Sequence, residues 1–370
     1  MTSSNRKEIK GLAFAYVIAL VGTILANETF VLKERTEVLK HVVGNHFTEL
    51  YFVWFDFFPA FFLFLNGFTM SISLRQRRMR STRLLVQYSR RGLILFFLGL
   101  LFVKFWPMNL LVICGLCYFA APFFAKWDEN ILRAFSLMII LFTMVLTNLD
   151  FPIFPMYESI DLEQGIFSNL IGFVFFNGYY SFLPWIAFFI LGVAMGKGDL
   201  KIRGWLPPIS IVALIIVAAS VVAQRFLNTL YGEVPEITDF TFQAAVHRMY
   251  GFSFAILAIG LVLFVFNLIN YFAKRLVTYE WGEKIWVWVN NLSKIKYSLY
   301  TLVMFFTGIM FLVIKPGNQR IYWFRPLAIL IPFSIGLLVL AYVAIRFWQK
   351  KVNANGPVEW LLKSITSNKK

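Results

Sequence analysis

Apolar residues along this chain come in long runs, separated by short polar segments that are mostly basic. A hydrocarbon core of about 30 Å takes about 17–25 residues of helix to cross. Ten runs fit, at 9–27, 49–74, 91–106, 108–125, 131–149, 167–196, 205–225, 250–270, 297–314 and 323–346. The third and fourth meet at Trp106-Pro107, as a tight hairpin or as partly re-entrant segments, and 167–196 has room for a half-span before a full one. The pattern predicts an all-α, polytopic membrane protein of about ten transmembrane helices. It predicts one continuous transmembrane domain over 1–370, with a short basic tail at 347–370. The segment Tyr271 to Lys296 differs: Trp281, Ile285, Trp286 and Val289 recur at helical spacing among charged residues, which predicts a helix lying in the inner interface.

Composition supports this class. A chain of 370 residues that is 59% hydrophobic, with only 15% charged, carries more apolar surface than a water-soluble domain of that size can bury. The formal charge of +16 suggests nucleic acid until its placement is considered. The basic residues sit in short connections between apolar runs, not on one folded face, so membrane lipids are the expected partner and nucleic acid is not. With ten spans and a cytoplasmic N-terminus, 26 of the 35 Lys and Arg fall in cytoplasmic segments, which predicts both termini inside a cell (cytoplasmic) membrane. The first run follows Arg6, Lys7 and Lys10 but lacks a small-x-small cleavage site, so it reads as a retained span. Cys114 and Cys117 lie within an apolar helix, where packing explains the C-x-x-C spacing better than redox or metal chemistry.

Candidate chemistry concentrates between His46 and Arg91. His46 stands before the second span and can act as a base near neutral pH; Glu49, three residues on, can orient it if the helix has already begun. Asp56 is a lone acid about two turns inside that span, and ionisable groups retained in a bilayer call for a functional explanation. The span ends in Arg75, Arg77, Arg78, Arg80, Arg83, Arg90 and Arg91 with no acid among them, more cations than orientation requires. Guanidinium forks match phosphate oxygens, so a phosphorylated ligand on the cytoplasmic side is the functional reading, against a purely orienting role. His247, Arg248 and Arg325 stand at the outer ends of later spans and are candidate contacts for a polar acceptor, or interfacial anchors. No Walker motif, dinucleotide fingerprint, HExxH or G-x-S-x-G is present, and no metal site is predicted.

Several stretches carry a family resemblance. NANGPVEWLLKSIT near the C-terminus resembles the closing G-P-(L/V)-E-W-L signature of YeiB-like bacterial membrane proteins. WVNNLSKIKYSLYTLVMFF resembles their G-(R/K)-x-(S/A)-L-(T/S)-x-Y segment, with Asn291 or Leu292 where glycine is usual. SFLPWIAFFILGVAMGK resembles their F-x-x-L-P-W span with its two spaced glycines. EIKGLAFAYVIAL resembles the D-x-x-R-G opening of wider transmembrane acyltransferases, with Lys10 for arginine and no aspartate. These proteins are similar to the heparan-α-glucosaminide N-acetyltransferase family, which passes acetyl groups from cytoplasmic acetyl-CoA to an acceptor across the membrane. That family has a histidine in its first outer loop, then an aspartate and a glycine in the second span, at intervals matched here by His46, Asp56 and Gly67, while Pro59 is one position out of register.

The resemblance implies a transmembrane acyltransferase-like bundle that takes acetyl-CoA or another acyl-CoA as donor. It implies His46 as catalytic residue, Asp56 as its structural or electrostatic partner, and the Arg75–Arg91 segment as a contact for CoA phosphates. The expected acceptor is a cell-envelope glycan or a small molecule with a hydroxyl or amine. The alternative from another class is a transporter or lipid-handling protein that uses Asp56 as an ion or proton site.

Overall fold

The computed structural model describes residues 3–34, 45–76, 81–102, 109–148, 174, 182–198, 252–313 and 327–366. Among them there is no strand. The helices are α1 (Ser3–Glu34), α2 (Asn45–Gln76), α3 (Ser81–Phe102), α4 (Leu110–Phe124), α5 (Glu129–Asn148), α6 (Phe182–Lys197), α7 (Phe252–Leu276), α8 (Glu280–Lys294), α9 (Lys296–Val313), α10 (Leu327–Lys351) and α11 (Pro357–Thr366). Five of them, α1, α2, α3, α7 and α10, are long and apolar enough to cross a membrane, while α4 and α6 are shorter apolar helices. The chain is therefore helical with several spans. The expected run at 205–225 lies outside the described residues.

Helices extend past the apolar runs at several ends. The Arg75–Arg91 segment, expected as a loop, is mostly helix: Arg75 closes α2, and Arg83, Arg90 and Arg91 belong to α3. Arginine is a good helix former, so polar helix ends can continue beyond the apolar core. The basic tail expected at 347–370 is likewise helical, through the end of α10 and then α11. The helix read between Tyr271 and Lys296 is observed as α8, shorter at its start because α7 runs on to Leu276.

The chain divides into two compact units, one of residues 1–59 and 269–370, the other of residues 60–268. In the first, α1 packs against α8, α9 and α10, and α9 also holds α11. Lys296, at the start of α9, places its ammonium 3.3 Å from the centre of the Tyr16 ring on α1. α8 buries Gly282, Val289 and Leu292 and leaves Trp281, Ile285 and Trp288 exposed along one stripe, the amphipathic division an interfacial helix needs. Glu359, in the first turn of α11, accepts hydrogen bonds from the Tyr297 and Ser298 amides at 2.8 and 3.2 Å.

In the second unit, α3 and α4 form the tight hairpin that the Trp106-Pro107 junction suggested. Asn109 explains the turn into α4: its side chain accepts from the Leu111 amide at 3.0 Å and donates to the Gly99 carbonyl at 2.7 Å. A side-chain oxygen at the N-cap satisfies a backbone donor that the first turn leaves orphaned. The later part of α2 packs backbone to backbone on α6. A Cβ at Gly67 would stand 2.0 Å from the Phe189 carbonyl oxygen, and one at Gly192 would stand 2.0 Å from that of Phe64. Small residues let helices approach closely where lipid supplies no hydrophobic drive for association. Cys114 and Cys117 are free and buried in α4.

Candidate functional site: a carboxylate where three helices meet

The residues singled out by sequence fall unevenly on this framework. α2 begins at Asn45, so His46 and Glu49 lie within helix, three residues apart, and not in a loop. Asp56 follows on the same helix, ten residues after His46, a separation of about 15 Å by helical rise. Their backbones are described; their side chains are not among the described residues. Asp56 precedes by two residues Phe58, whose ring lies against Gly22 of α1. Arg77, Arg78, Arg80, His247, Arg248 and Arg325 lie outside the described residues, as does the side chain of Arg83.

Of the candidate arginines, Arg75, Arg90 and Arg91 have described side chains and belong to the second unit. Arg75 is exposed, and one of its N–H groups donates to the Gly198 carbonyl just past α6, at 3.3 Å. Arg90 is exposed, and the Arg91 guanidinium lies 5.6 Å from the centre of the Tyr88 ring. Tyr88 in turn stacks on Tyr118, whose hydroxyl donates to the side-chain oxygen of buried Asn66 at 3.1 Å. The Asn66 amide donates to the Cys114 sulfur at 3.6 Å. A polar thread thus runs from the arginines of α3 into the core of this unit, ending on the helix that carries Gly67.

Among the described residues, a built polar site that was not among the sequence candidates lies in the first unit. Asn27, the last residue of the first run as read from the sequence, and Glu28, just beyond it, are buried inside α1, each only 1% exposed. Glu28 meets α9 through Thr307, whose Oγ1 is 3.1 Å from Oε1, and α10 through Ser334, whose hydroxyl donates to Oε2 in a short hydrogen bond. Asn27 donates to the Tyr300 hydroxyl at 2.7 Å. Thr307 and Ser334 are themselves buried.

The depth of this site follows from the helix. Tyr16 of α1 lies beside Lys296, at the end of the unit where α1 and α9 start and α7 and α10 end in Lys and Arg. Glu28 is twelve residues further along, about 18 Å by rise, against an apolar thickness of about 30 Å. Glu28 is also the last residue of the apolar stretch Gly11–Glu28, so for a helix set across a bilayer the carboxyl stands toward the far side of the hydrocarbon. The sequence did hold a signal: Phe30, Val31 and Leu32 follow Asn27-Glu28-Thr29, so the polar triplet is flanked by apolar residues on both sides.

No group of three or more His, Cys, Asp or Glu able to hold a metal ion occurs among the described residues. No family model matches the chain, and no curated protein or solved structure matches it either.

Proposed function

We propose that the chain is a multi-pass acyltransferase of the cytoplasmic membrane, with about ten spans and both termini inside. It would pass an acetyl or other acyl group from cytoplasmic acyl-CoA to a hydroxyl or amine on the outer side, on a cell-envelope glycan or a small molecule. The observation that carries this reading is α2. One helix of 32 residues holds the histidine in its first turn, the acid further in, the glycine beyond that, and Arg75 in its last turn. The family resemblance implies His46 as catalytic residue, Asp56 as its structural or electrostatic partner and the arginine segment as a contact for CoA phosphates.

In the proposed reaction, the acceptor oxygen or nitrogen attacks the thioester carbonyl while His46 takes its proton. The carbon–sulfur bond breaks, and the CoA thiolate leaves and takes up a proton, regenerating neutral imidazole. Arginine forks suit the CoA phosphates, and the exposed Arg75 and Arg90 are groups of the right kind for such a contact. General-base catalysis contributes about 10²–10⁴-fold, so His46→Ala is expected to reduce transfer by that order. The test supplies purified protein with labelled acetyl-CoA and cell-envelope extract, and follows both label and free thiol. Transfer by His46→Ala at the wild-type rate would remove the histidine from the chemistry. Absence of thiol release by the wild type would remove the acyltransferase reading as a whole.

A further inference from the structure

We infer that Glu28 is a proton-binding site inside the membrane part of the chain, holding in this arrangement a hydrogen that joins its carboxyl to Thr307. Thr307 has one hydroxyl hydrogen for two oxygen neighbours. Thr307 Oγ1 lies 2.9 Å from the Val303 carbonyl oxygen, one turn back on α9, and 3.1 Å from Glu28 Oε1. A threonine hydroxyl has one hydrogen and two lone pairs. When it donates to the carbonyl four residues earlier, as helical threonines commonly do, the contact with Glu28 is filled only by a hydrogen on the carboxyl. Then Glu28 donates to Thr307 through Oε1, Thr307 donates to Val303, and Ser334 donates to Oε2. Every contact is satisfied. Without that proton, Thr307 must turn its hydrogen to the carboxylate and give up Val303.

Charge around the site favours the protonated arrangement. On α9 the described cation is Lys296, engaged at Tyr16, about 18 Å away along α1. On α10 Arg346, Lys350 and Lys351 begin twelve residues after Ser334, also about 18 Å away. Glu280, Glu283, Lys284 and Lys294 are on α8, and Lys274 and Arg275 follow Asn270 of α7, which meets Gly11 at the far end of α1. On α2, whose Phe58 meets Gly22, the titratable groups are His46, Glu49, Tyr51 and Asp56, with Arg75 in its last turn. Asn27 beside it donates to the Tyr300 hydroxyl, and the side chains of Lys33 and Glu34, five and six residues further along α1, lie outside the described residues. No described cation reaches the carboxyl, and a bare charge held between apolar helices is costly. A proton removes that charge without further ligands, whereas a calcium ion would need six to eight oxygens. Losing the proton would place a charge where α1, α9 and α10 meet, so proton release and loosening of these helices are coupled.

Glu28→Gln presents an N–H to Thr307 and a carbonyl to Ser334, the same pattern as the protonated acid. The experiment measures thermal stability of the full chain in lipid discs from mildly acidic to alkaline pH, in a Glu359→Gln background so that the second buried carboxyl is silent. With Glu28 present, the melting temperature is expected to fall by at least about 3 °C as pH rises, and with Gln to stay level at the acidic value. Infrared spectra at neutral pH are expected to show a protonated carboxyl stretch that Glu28→Gln removes and Thr307→Val shifts. Equal pH dependence with and without Glu28, or stability that follows sodium concentration instead of pH, would overturn the proposal. So would a Glu28 that shows only the carboxylate stretch, a readout independent of whether the glutamine variant folds.

Discussion

Glu359 and Ser298 cap each other's helices. The Glu359 carboxylate accepts from the Tyr297 and Ser298 amides in the first turn of α9, and also from the Ser298 hydroxyl in a short hydrogen bond. The Ser298 oxygen in return accepts from the Val358 amide of α11 at 2.9 Å. Each side chain thus satisfies backbone donors that the other helix leaves open at its N-terminus. Gly356 is required beside them, because a Cβ there would stand 2.5 Å from the Ser298 Oγ and 2.6 Å from Glu359 Oε2. The two stretches that resembled family signatures, G-P-V-E-W and K-Y-S-L, are two halves of one joint.

Removing the carboxylate leaves the Tyr297 and Ser298 amides and the Ser298 hydroxyl without this acceptor. Leaving a buried donor unsatisfied costs about 1–3 kcal/mol, so Glu359→Ala should cost at least that much and release α11. Limited proteolysis is the direct reading, with the C-terminal segment cleaved far faster in the variant. Glu359→Gln keeps a carbonyl for the amides and an N–H toward Ser298, and is expected to restore most of the protection. Equal cleavage of wild type and Glu359→Ala would dissolve the joint as a structural element.

The same group gives a pH dependence. Burial pushes the Glu359 carboxyl above its usual range, and the hydrogen bonds from Ser298 and the backbone amides pull it only part of the way back. Because the folded value lies above the unfolded one, folding favours the protonated form. The associated stability is present below the ordinary carboxylate range and is lost as pH rises through the raised value. Docking of α11 should therefore weaken from acidic toward neutral pH in the wild type and not in Glu359→Gln. Fluorescence of Trp360, which lies edge-on to Trp348 with ring centres 6.0 Å apart, reports the docking.

How much of this was legible in the sequence depended on the strength of the local signal. Apolar runs gave the helices, and the Trp281–Val289 spacing gave α8, because a 3.6-residue period survives in any environment. Helix ends were misjudged wherever arginines or lysines continue a helix past its apolar part, as at Arg83 and Lys351, since hydropathy ends there and helix propensity does not. Glu28 was missed for the complementary reason: three polar residues look like a loop unless their partners, Thr307 and Ser334 some 280 and 306 residues away, are known. The Glu359–Ser298 joint was visible only as two resemblances. Nothing in a single sequence indicated that they touch.

Glycines separate tight contacts from permissive positions. At Gly192 an added Cβ would meet the Phe64 carbonyl oxygen at 2.0 Å, and backbone cannot yield as a flexible side chain does. Gly192→Ala should force α2 and α6 apart, with a cost at or above the about 1–3 kcal/mol of overpacking. Gly308 of α9 is the control, because a Cβ there meets nothing within 4 Å. Gly308→Ala should be neutral or stabilise by about 0.4–1 kcal/mol, through the lost freedom of the unfolded chain. Melting temperatures of the two variants in one detergent decide it; similar losses would mean that close approach is not what the Gly192 position provides.

The arginines between α2 and α3 bear on the proposed donor. If they hold CoA phosphates, replacing Arg77, Arg78 and Arg80 together by Gln removes several charge-assisted hydrogen bonds, each worth about 1.5–3 kcal/mol. Acyl-CoA affinity should then drop at least about tenfold, and the remaining binding should depend less on salt. General basicity would produce a similar but smaller effect, so the comparison needs a variant that removes charge elsewhere. Lys350 and Lys351 close α10 and supply one. Their replacement by Gln should leave acyl-CoA affinity unchanged if the arginines bind phosphate as forks, because diffuse attraction does not distinguish one basic helix end from another. Isothermal titration of the purified variants measures both. Equal losses in the arginine and lysine variants would return the arginines to the role of basic residues that set the orientation of neighbouring spans.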